Sequence, residues 1–378
     1  MNINLKTVTE GETKLMVPVE EKLSRKSTVF FNPKMELSRD ISVAVAGLLK
    51  PHRVCDALAG CGARGIRMLN ECGYGMDMTI NDINPYAYKL IKKNAALNLK
   101  EKVTITNLDS NVLLGVDYEH GAERYDYVDI DPFGTPVRFI EPALRALNNN
   151  AILAVTATDT APLCGTYPKA CRRKYDAVSL KTDYYDESGL RILIAYLARL
   201  ATKYNIGVTP LFSHSTLHYF RTYLQIHKIR SNRYVNEAIE NVKYIQHCFN
   251  CFRREFRDLD ELESFCECGE KYKTAGPLWA GDFADAKFCD KLGEKLSEKK
   301  EAIKLVELIN LETDPGIRIP YYDVHKICKS SGISIPTMDK IMETLKENGF
   351  KAARTHFSGV GLRTDAPADK LVGVILGF

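Results

Sequence analysis

The chain has 378 residues, 45% of them hydrophobic and 26% charged, enough to bury a sizeable core and, at this length, to divide it between two domains. A formal net charge of only +4 excludes a global basic field, so any nucleic-acid surface must be local. The sequence has no apolar run of the roughly 18 residues a membrane helix needs and no apolar N-terminal signal core, which predicts a soluble, cytoplasmic protein without a membrane partner. Eleven cysteines, an odd and unevenly spread set, favour reduced thiols and a metal site over a disulfide framework.

The first strand candidate, His52 to Leu58, runs into Ala59-Gly60-Cys61-Gly62-Ala63-Arg64-Gly65 and then a helical pattern carrying Ile66 and Leu69. Strand, glycine turn, helix lets backbone approach a ligand at a helix N-terminus, beyond the carboxyl end of the strand. Asp56 to Gly60 to Gly62 fixes that spacing. A second strand, Met78 to Asp82, ends in that acid about twenty residues after the glycines, where a carboxylate can hold both hydroxyls of a ribose. The plainer reading of Asp82 is an N-cap for the helix from Pro85 to Leu99. Val103 to Thr106 is a third strand, ending near Asp109, placed to meet an adenine amino group.

The apolar run Tyr125 to Val128 is the fourth, and Asp129-Ile130-Asp131-Pro132-Phe133-Gly134 follows it. Asp131 and the Pro132 carbonyl are two acceptors for the hydrogens of an exocyclic base amine, drawing its nitrogen out of conjugation, while Phe133 offers a stacking face. The bland alternative is a strand-closing Asp-Pro-Phe-Gly turn. Strands over Ala151 to Thr156, Ile206 to Ser213 and Phe220 to Ile229 complete a seven-stranded, Rossmann-like α/β sheet. After the fifth strand, Lys169, Arg172, Arg173 and Lys174 form a basic stretch suited to an RNA backbone, with Tyr167 or Tyr175 available for stacking; a solvated helix face has the same composition.

Cys248 and Cys251, then Cys266 and Cys268, are two close pairs around a hairpin-sized insert and predict a structural zinc with four thiolate ligands, against the alternative of four unlinked thiols. His247 reads as a neighbour of that cluster. The remainder is helical: Asp285 to Leu311 with a break near Gly293, then Tyr321 to Ser330, a turn at Gly332, and Pro336 to Asn348. Phe350 to Phe357 reads as a strand, Ser358 to Gly361 as a turn, and Leu362 as the start of a return strand, which together describe a winged-helix-like module for nucleic-acid docking or for packing. Arg354, His356 and Arg363 flank the expected hairpin tip, and the two arginines are the RNA-binding candidates. The expected domains are 1–240 and 241–378, with the zinc-binding insert at about 245–275 and the winged-helix-like module at about 300–378 within an α+β C-terminal domain.

Three resemblances gather these residues. The Asp56 to Gly62 turn is similar to the first motif of S-adenosylmethionine-dependent class I methyltransferases. Asp131-Pro132-Phe133 resembles the acidic-or-Asn, Pro, aromatic motif of amino-group methyltransferases. FFNPKMELSRD (Phe30 to Asp40), DALAGCGARGIR (Asp56 to Arg67), DIDPFGTP (Asp129 to Pro136), TATDTAPLCGTYPKACRRKY (Thr156 to Tyr175) and ARTHFSGVGLRTDAP (Ala353 to Pro367) resemble the archaeal and eukaryotic tRNA (guanine-26-N2)-dimethyltransferase family over nearly the whole chain. That resemblance implies S-adenosylmethionine contacts for Arg39, Arg64, Asp82 and Asp109, a catalytic role for Asp131, and a guanine held between Phe30 and Phe133. It makes tRNA the partner, requires no protein partner, and leaves the cysteine cluster outside the chemistry. Rival readings are an amino-group methyltransferase for DNA or another tRNA guanine, and a non-catalytic RNA-binding scaffold.

Overall fold

Short apolar runs closed by glycine or acid and followed by amphipathic stretches alternate as strand and helix. The computed structural model describes residues 4–19, 28–99, 103–116, 118, 121–229, 232–313 and 317–377. A hairpin of β1 (Leu5–Glu10) and β2 (Thr13–Pro18) precedes α1 (Glu36–Leu49), β3 (Arg53–Asp56), α2 (Ala63–Glu71), β4 (Asp77–Asn81) and α3 (Pro85–Asn98). There follow β5 (Thr104–Thr106), α4 (Ser110–Leu114), β6 (Tyr125–Ile130), α5 (Val137–Ala146), β7 (Leu147–Ala157), α6 (Thr160–Leu163), α7 (Pro168–Tyr175) and α8 (Tyr185–Thr202). Next come β8 (Gly207–Thr216), β9 (Tyr219–His227), α9 (Asn232–Glu240), β10 (Val242–His247), β11 (Arg254–Arg257), β12 (Lys273–Trp279), α10 (Ala286–Lys295) and α11 (Lys300–Glu312). The chain ends with β13 (Tyr322–Asp323), α12 (Val324–Ser331), α13 (Met338–Glu347), β14 (Ala352–Thr355), β15 (Ser358–Thr364) and α14 (Ala368–Leu376).

The expected seven strands form one sheet in the order β5-β4-β3-β6-β7-β9-β8. The pairs from β5 through to β7 are parallel. The two residues linking β8 to β9, Leu217 and His218, are too few for anything but an antiparallel turn. Val54, Cys55, Ile80, Tyr127, Val128, Leu153 and Val155 are all buried, as parallel strands covered on both faces require. Strand order reverses between β3 and β6, and the crevice beyond the carboxyl ends at such a switch point is where ligands bind. β6 runs on to Ile130, so Asp129 is a strand residue and the loop begins at Asp131.

The residues pack as two compact units. The first comprises Met1–Ala157, Tyr223–Ser231 and Asp290–Lys304, the second Thr158–Thr222, Asn232–Cys289 and Leu305–Phe378. In the second unit, β10 is flanked antiparallel by β11 and β12, and β15 by β13 and β14. Three local expectations change. α12 starts at Val324, because Tyr322 and Asp323 pair with β15 and the Asp323 side chain caps the helix by accepting the Lys326 N–H. Ser358 pairs with Thr355, so the hairpin tip is His356-Phe357 and not Ser358 to Gly361. Gly293 lies inside α10, and the break falls between Lys295 and Lys300.

Candidate active site and metal centre

Two glycines shape the turn between β3 and α2. Gly60 and Gly62 have φ of 57° and 82°, in the left-handed region that favours glycine. A Cβ on Gly60 would also lie 2.9 Å from the Phe30 carbonyl oxygen, so glycine is what lets the Phe30 segment lie against the turn. Asp82 ties the turn to β4: one carboxylate oxygen accepts the Gly60 N–H and the other the Asn84 N–H, both at 2.8 Å. The N-cap of α3 is Asn84, which accepts from Tyr86, so Asp82 is not that cap. Burial raises the pKa of Asp82 while its two backbone hydrogen bonds oppose the shift. Asp109 caps α4 by accepting the Asn111 N–H. The apolar side chains Ile83 and Leu108, 58% and 42% exposed, adjoin these two acids in sequence.

Arg64, in the first turn of α2, brings the acids of β3 and β6 together. Its Nη2 donates a short hydrogen bond to Asp131, its Nε lies 3.6 Å from Asp129, and its Nη1 donates to Ser42 Oγ. Ser42 in turn shares a 2.8 Å hydrogen bond with the Tyr223 hydroxyl. Asp129 accepts from Tyr127, and Asp56 accepts the Gly65 N–H at 3.1 Å. Burial and the neighbouring Asp129 carboxylate push the pKa of Asp56 well above the usual carboxylate range. Pro132 is buried and Phe133 is 48% exposed. The Phe30 and Phe133 rings touch edge to face with centroids 4.4 Å apart. A base stacked between two faces needs about 7 Å, twice the van der Waals separation, so holding a guanine there requires the rings to part.

The sequence reading overlooked β1 and β2, although Glu10-Gly11-Glu12-Thr13 between two alternating stretches is a hairpin signal. The hairpin carries Glu10, which takes both Nε and Nη2 of Arg39, the latter at 2.6 Å, and accepts from Arg67 at 2.9 Å. Arg39 also donates to the Asn32 carbonyl, so the structure anchors it between the hairpin and the segment leading into α1. Burial opposes ionisation of Glu10, but Arg39 and Arg67 hold its pKa below the ordinary value.

Cys248, Cys251, Cys266 and Cys268 place their sulfurs within 4.8 Å of one another, with Cys248 to Cys268 at 3.5 Å and Cys251 to Cys266 at 3.6 Å. Tetrahedral zinc with bonds of about 2.3 Å sets its sulfurs about 3.8 Å apart, so the four thiols fit the ion. Backbone turns shape both pairs: Phe252 N–H bonds to the Cys248 carbonyl and Gly269 N–H to that of Cys266, with Gly269 at φ 86°. Four thiolates would close the coordination sphere and make the metal structural. The His247 ring instead packs against Phe249 and Tyr184.

Lys169, Arg172 and Arg173 lie exposed on α7, whereas Lys174 pairs with Asp159 at 2.8 Å and Tyr175 is buried with its hydroxyl on the same carboxylate. Tyr167, 60% exposed, is the available stacking ring. Arg354 is exposed and pairs with Asp339. Arg363 corrects the sequence reading: it is 1% exposed, lies 2.7 Å from Glu187 by proximity without an aligned hydrogen bond, and donates to the Ile319 carbonyl. It has no surface to offer a phosphate. His356 likewise turns inward onto Glu312.

A family model described as N2,N2-dimethylguanosine tRNA methyltransferase matches residues 11–376. The chain belongs to that family. Among its relatives, the tRNA (guanine(26)-N(2))-dimethyltransferase of Methanosphaera stadtmanae is 39% identical, over 98% of this chain and 96% of the relative. That of Methanococcus maripaludis strain C7 is 41% identical, over 98% of both. Among solved structures, Trm1 from Pyrococcus horikoshii in complex with S-adenosyl-L-methionine superposes with a TM-score of 0.86 at 33% identity, covering 98% of this chain and all of that one. Membership of the dimethylguanosine methyltransferase family thus extends through both units, and among the described residues no helix is long and apolar enough to cross a membrane.

Proposed function

We propose that this chain dimethylates the exocyclic 2-amino group of guanine 26 in tRNA, using S-adenosyl-L-methionine. The observation that carries the reading is the family match from residue 11 to 376, with Asp131, Pro132 and Phe133 opening the loop beyond β6 at the switch point of the sheet. When bound, S-adenosyl-L-methionine supplies the electrophilic methyl group. The residues fit it: Asp82, just past the end of β4, has lone pairs to spare for ribose hydroxyls after accepting two backbone N–H groups, and Asp109 with the exposed Ile83 and Leu108 suits an adenine.

On the target side, the guanine leaves its stack at a cost of a few kcal/mol, offset by aromatic contacts worth roughly 1 to 3 kcal/mol each from Phe30 and Phe133. Asp131 and the Pro132 carbonyl then accept the two amine hydrogens and turn the lone pair toward the methyl group, so alignment carries much of the rate. A second transfer needs the monomethylated amine to rotate and present its remaining hydrogen.

The segment around β13, α12, α13, β14 and β15 reads as a winged-helix-like module with its own core of Val324, Ile327, Ile341, Leu345 and Leu362. The cysteine cluster holds a structural zinc, and Lys169, Arg172, Arg173 and Arg354 are the exposed cations for the tRNA backbone. Eleven cysteines without disulfides support a cytoplasmic place of action. The test is mass spectrometry of nucleosides from tRNA incubated with protein and S-adenosyl-L-methionine: N2,N2-dimethylguanosine is expected from tRNA with guanine 26, and its absence overturns the reading.

A further inference from the structure

Three aspartates, Asp56, Asp129 and Asp131, converge at the ends of β3 and β6, and the guanidinium set among them is Arg64. β3 and β6 pair in parallel with Asp56 opposite Asp129, which makes this crowding a property of the sheet. Arg64 is 5% exposed and cannot move between partners without rearranging Ser38, Ser42 and α2. It bonds to Asp131, and its Nε stands 3.6 Å from Asp129. The bond to Ser42, and from Ser42 to Tyr223 on β9, fixes the guanidinium from the opposite side. A side chain on a loop just past a strand end has rotamers to lose, and a guanidinium locked from behind removes them with a planar fork no lysine reproduces.

We infer that Arg64 is a positioning residue for methyl transfer, aiming the Asp131 carboxylate at the target amine, and that Ser42 and Tyr223 hold Arg64 in that register. This rests on the proposed function and assigns Arg64 a task other than the cofactor contact implied by resemblance. Mutual dependence of Arg64 and Asp131 follows: once the Asp131 charge is gone, aiming what is left no longer stabilises the developing cation.

The test is a double-mutant cycle on turnover, with S-adenosyl-L-methionine affinity measured separately by calorimetry and folding checked by circular dichroism. Arg64→Gln is expected to lower kcat by about tenfold or more, within the range coupled neighbours show, but by less than about twofold in an Asp131→Asn background. Tyr223→Phe removes one oxygen and keeps the test alive if Arg64→Gln fails to fold; it should lower kcat a few-fold, leave cofactor affinity unchanged, and also lose its effect in Asp131→Asn. Independent, multiplicative losses, or a loss confined to cofactor affinity, overturn the positioning role while leaving the dimethyltransferase reading intact. Failure of the parent protein to modify tRNA would instead remove the reading on which it rests.

Discussion

At the scale of single residues, the proposed catalytic role of Asp131 is open to direct test, and Arg363 carries the lesson. Asp131→Asn keeps shape and one acceptor but loses the charge that stabilises the amine nitrogen as it becomes cationic, so turnover should fall on the order of 100-fold or more. Cofactor and tRNA dissociation constants should change only a few-fold; near-parental turnover in single-turnover assays would show that the loop is a strand-closing turn. Arg363→Ala should instead act on stability. It leaves the buried Glu187 with one cation fewer, a loss of about 3 to 5 kcal/mol for a broken buried pair, read from urea unfolding, with no change in the salt dependence of tRNA binding. Arg354 and Arg363 look alike in the sequence, near one hairpin tip. They differ because Arg363 stands opposite Ala353 and faces Glu187 and Glu312, two acids on α8 and α11 that no local pattern connects to it. Asp82 was legible for the opposite reason, since its place at a strand end follows from strand period and spacing alone.

At the scale of elements, the sheet strands were readable because most are buried on both faces and leave near-continuous apolar runs, while the N-terminal hairpin has only two short alternating stretches and was passed over. The zinc insert is an element whose stability should depend on its metal. Purified protein is expected to contain about one zinc per chain, and Cys251→Ser to lower the melting temperature while leaving cofactor affinity intact. Equal melting points with and without metal would exclude a structural ion. For α7, replacing Lys169, Arg172 and Arg173 together with Ala should weaken tRNA binding and reduce the slope of log affinity against log salt by about 2 to 3, because fewer counterions are released. An unchanged slope would return that helix to the role of a solvated face.

For the whole molecule, buried carboxylates pull its pH dependence in two directions. Against the penalty of burial, Arg363 and Arg191 hold Glu187 below the usual range, and Arg39 and Arg67 do the same for Glu10. Depressed folded-state values contribute stability that is present above the unfolded pKa and lost as pH falls through the folded one. Asp56 has the opposite sign: its value is raised, so its contribution is intact below the unfolded pKa near 3.8 and is lost as pH rises toward neutrality. Asp56→Asn should therefore shift the urea midpoint more favourably at pH 8 than at pH 4, relative to the parent; the same shift at both would mean that Asp56 ionises without penalty in the folded protein.

The layout of the first unit also bears on how the protein is made. Its last segment is 290–304, where Lys299 reaches Asp40 at 3.4 Å, and its outer strand β9 arrives only after α8 and β8. A ribosome delivers Ala157 and then roughly 150 more residues before Lys304, which at 5–20 residues per second takes on the order of 10 to 30 s. For the first half of that time, about 70 residues, the nascent sheet waits with the edge of β7 unpaired, a template for wrong partners until β9 emerges. Vectorial synthesis thus cannot finish the first unit before most of the second has been made, and both units complete late in translation.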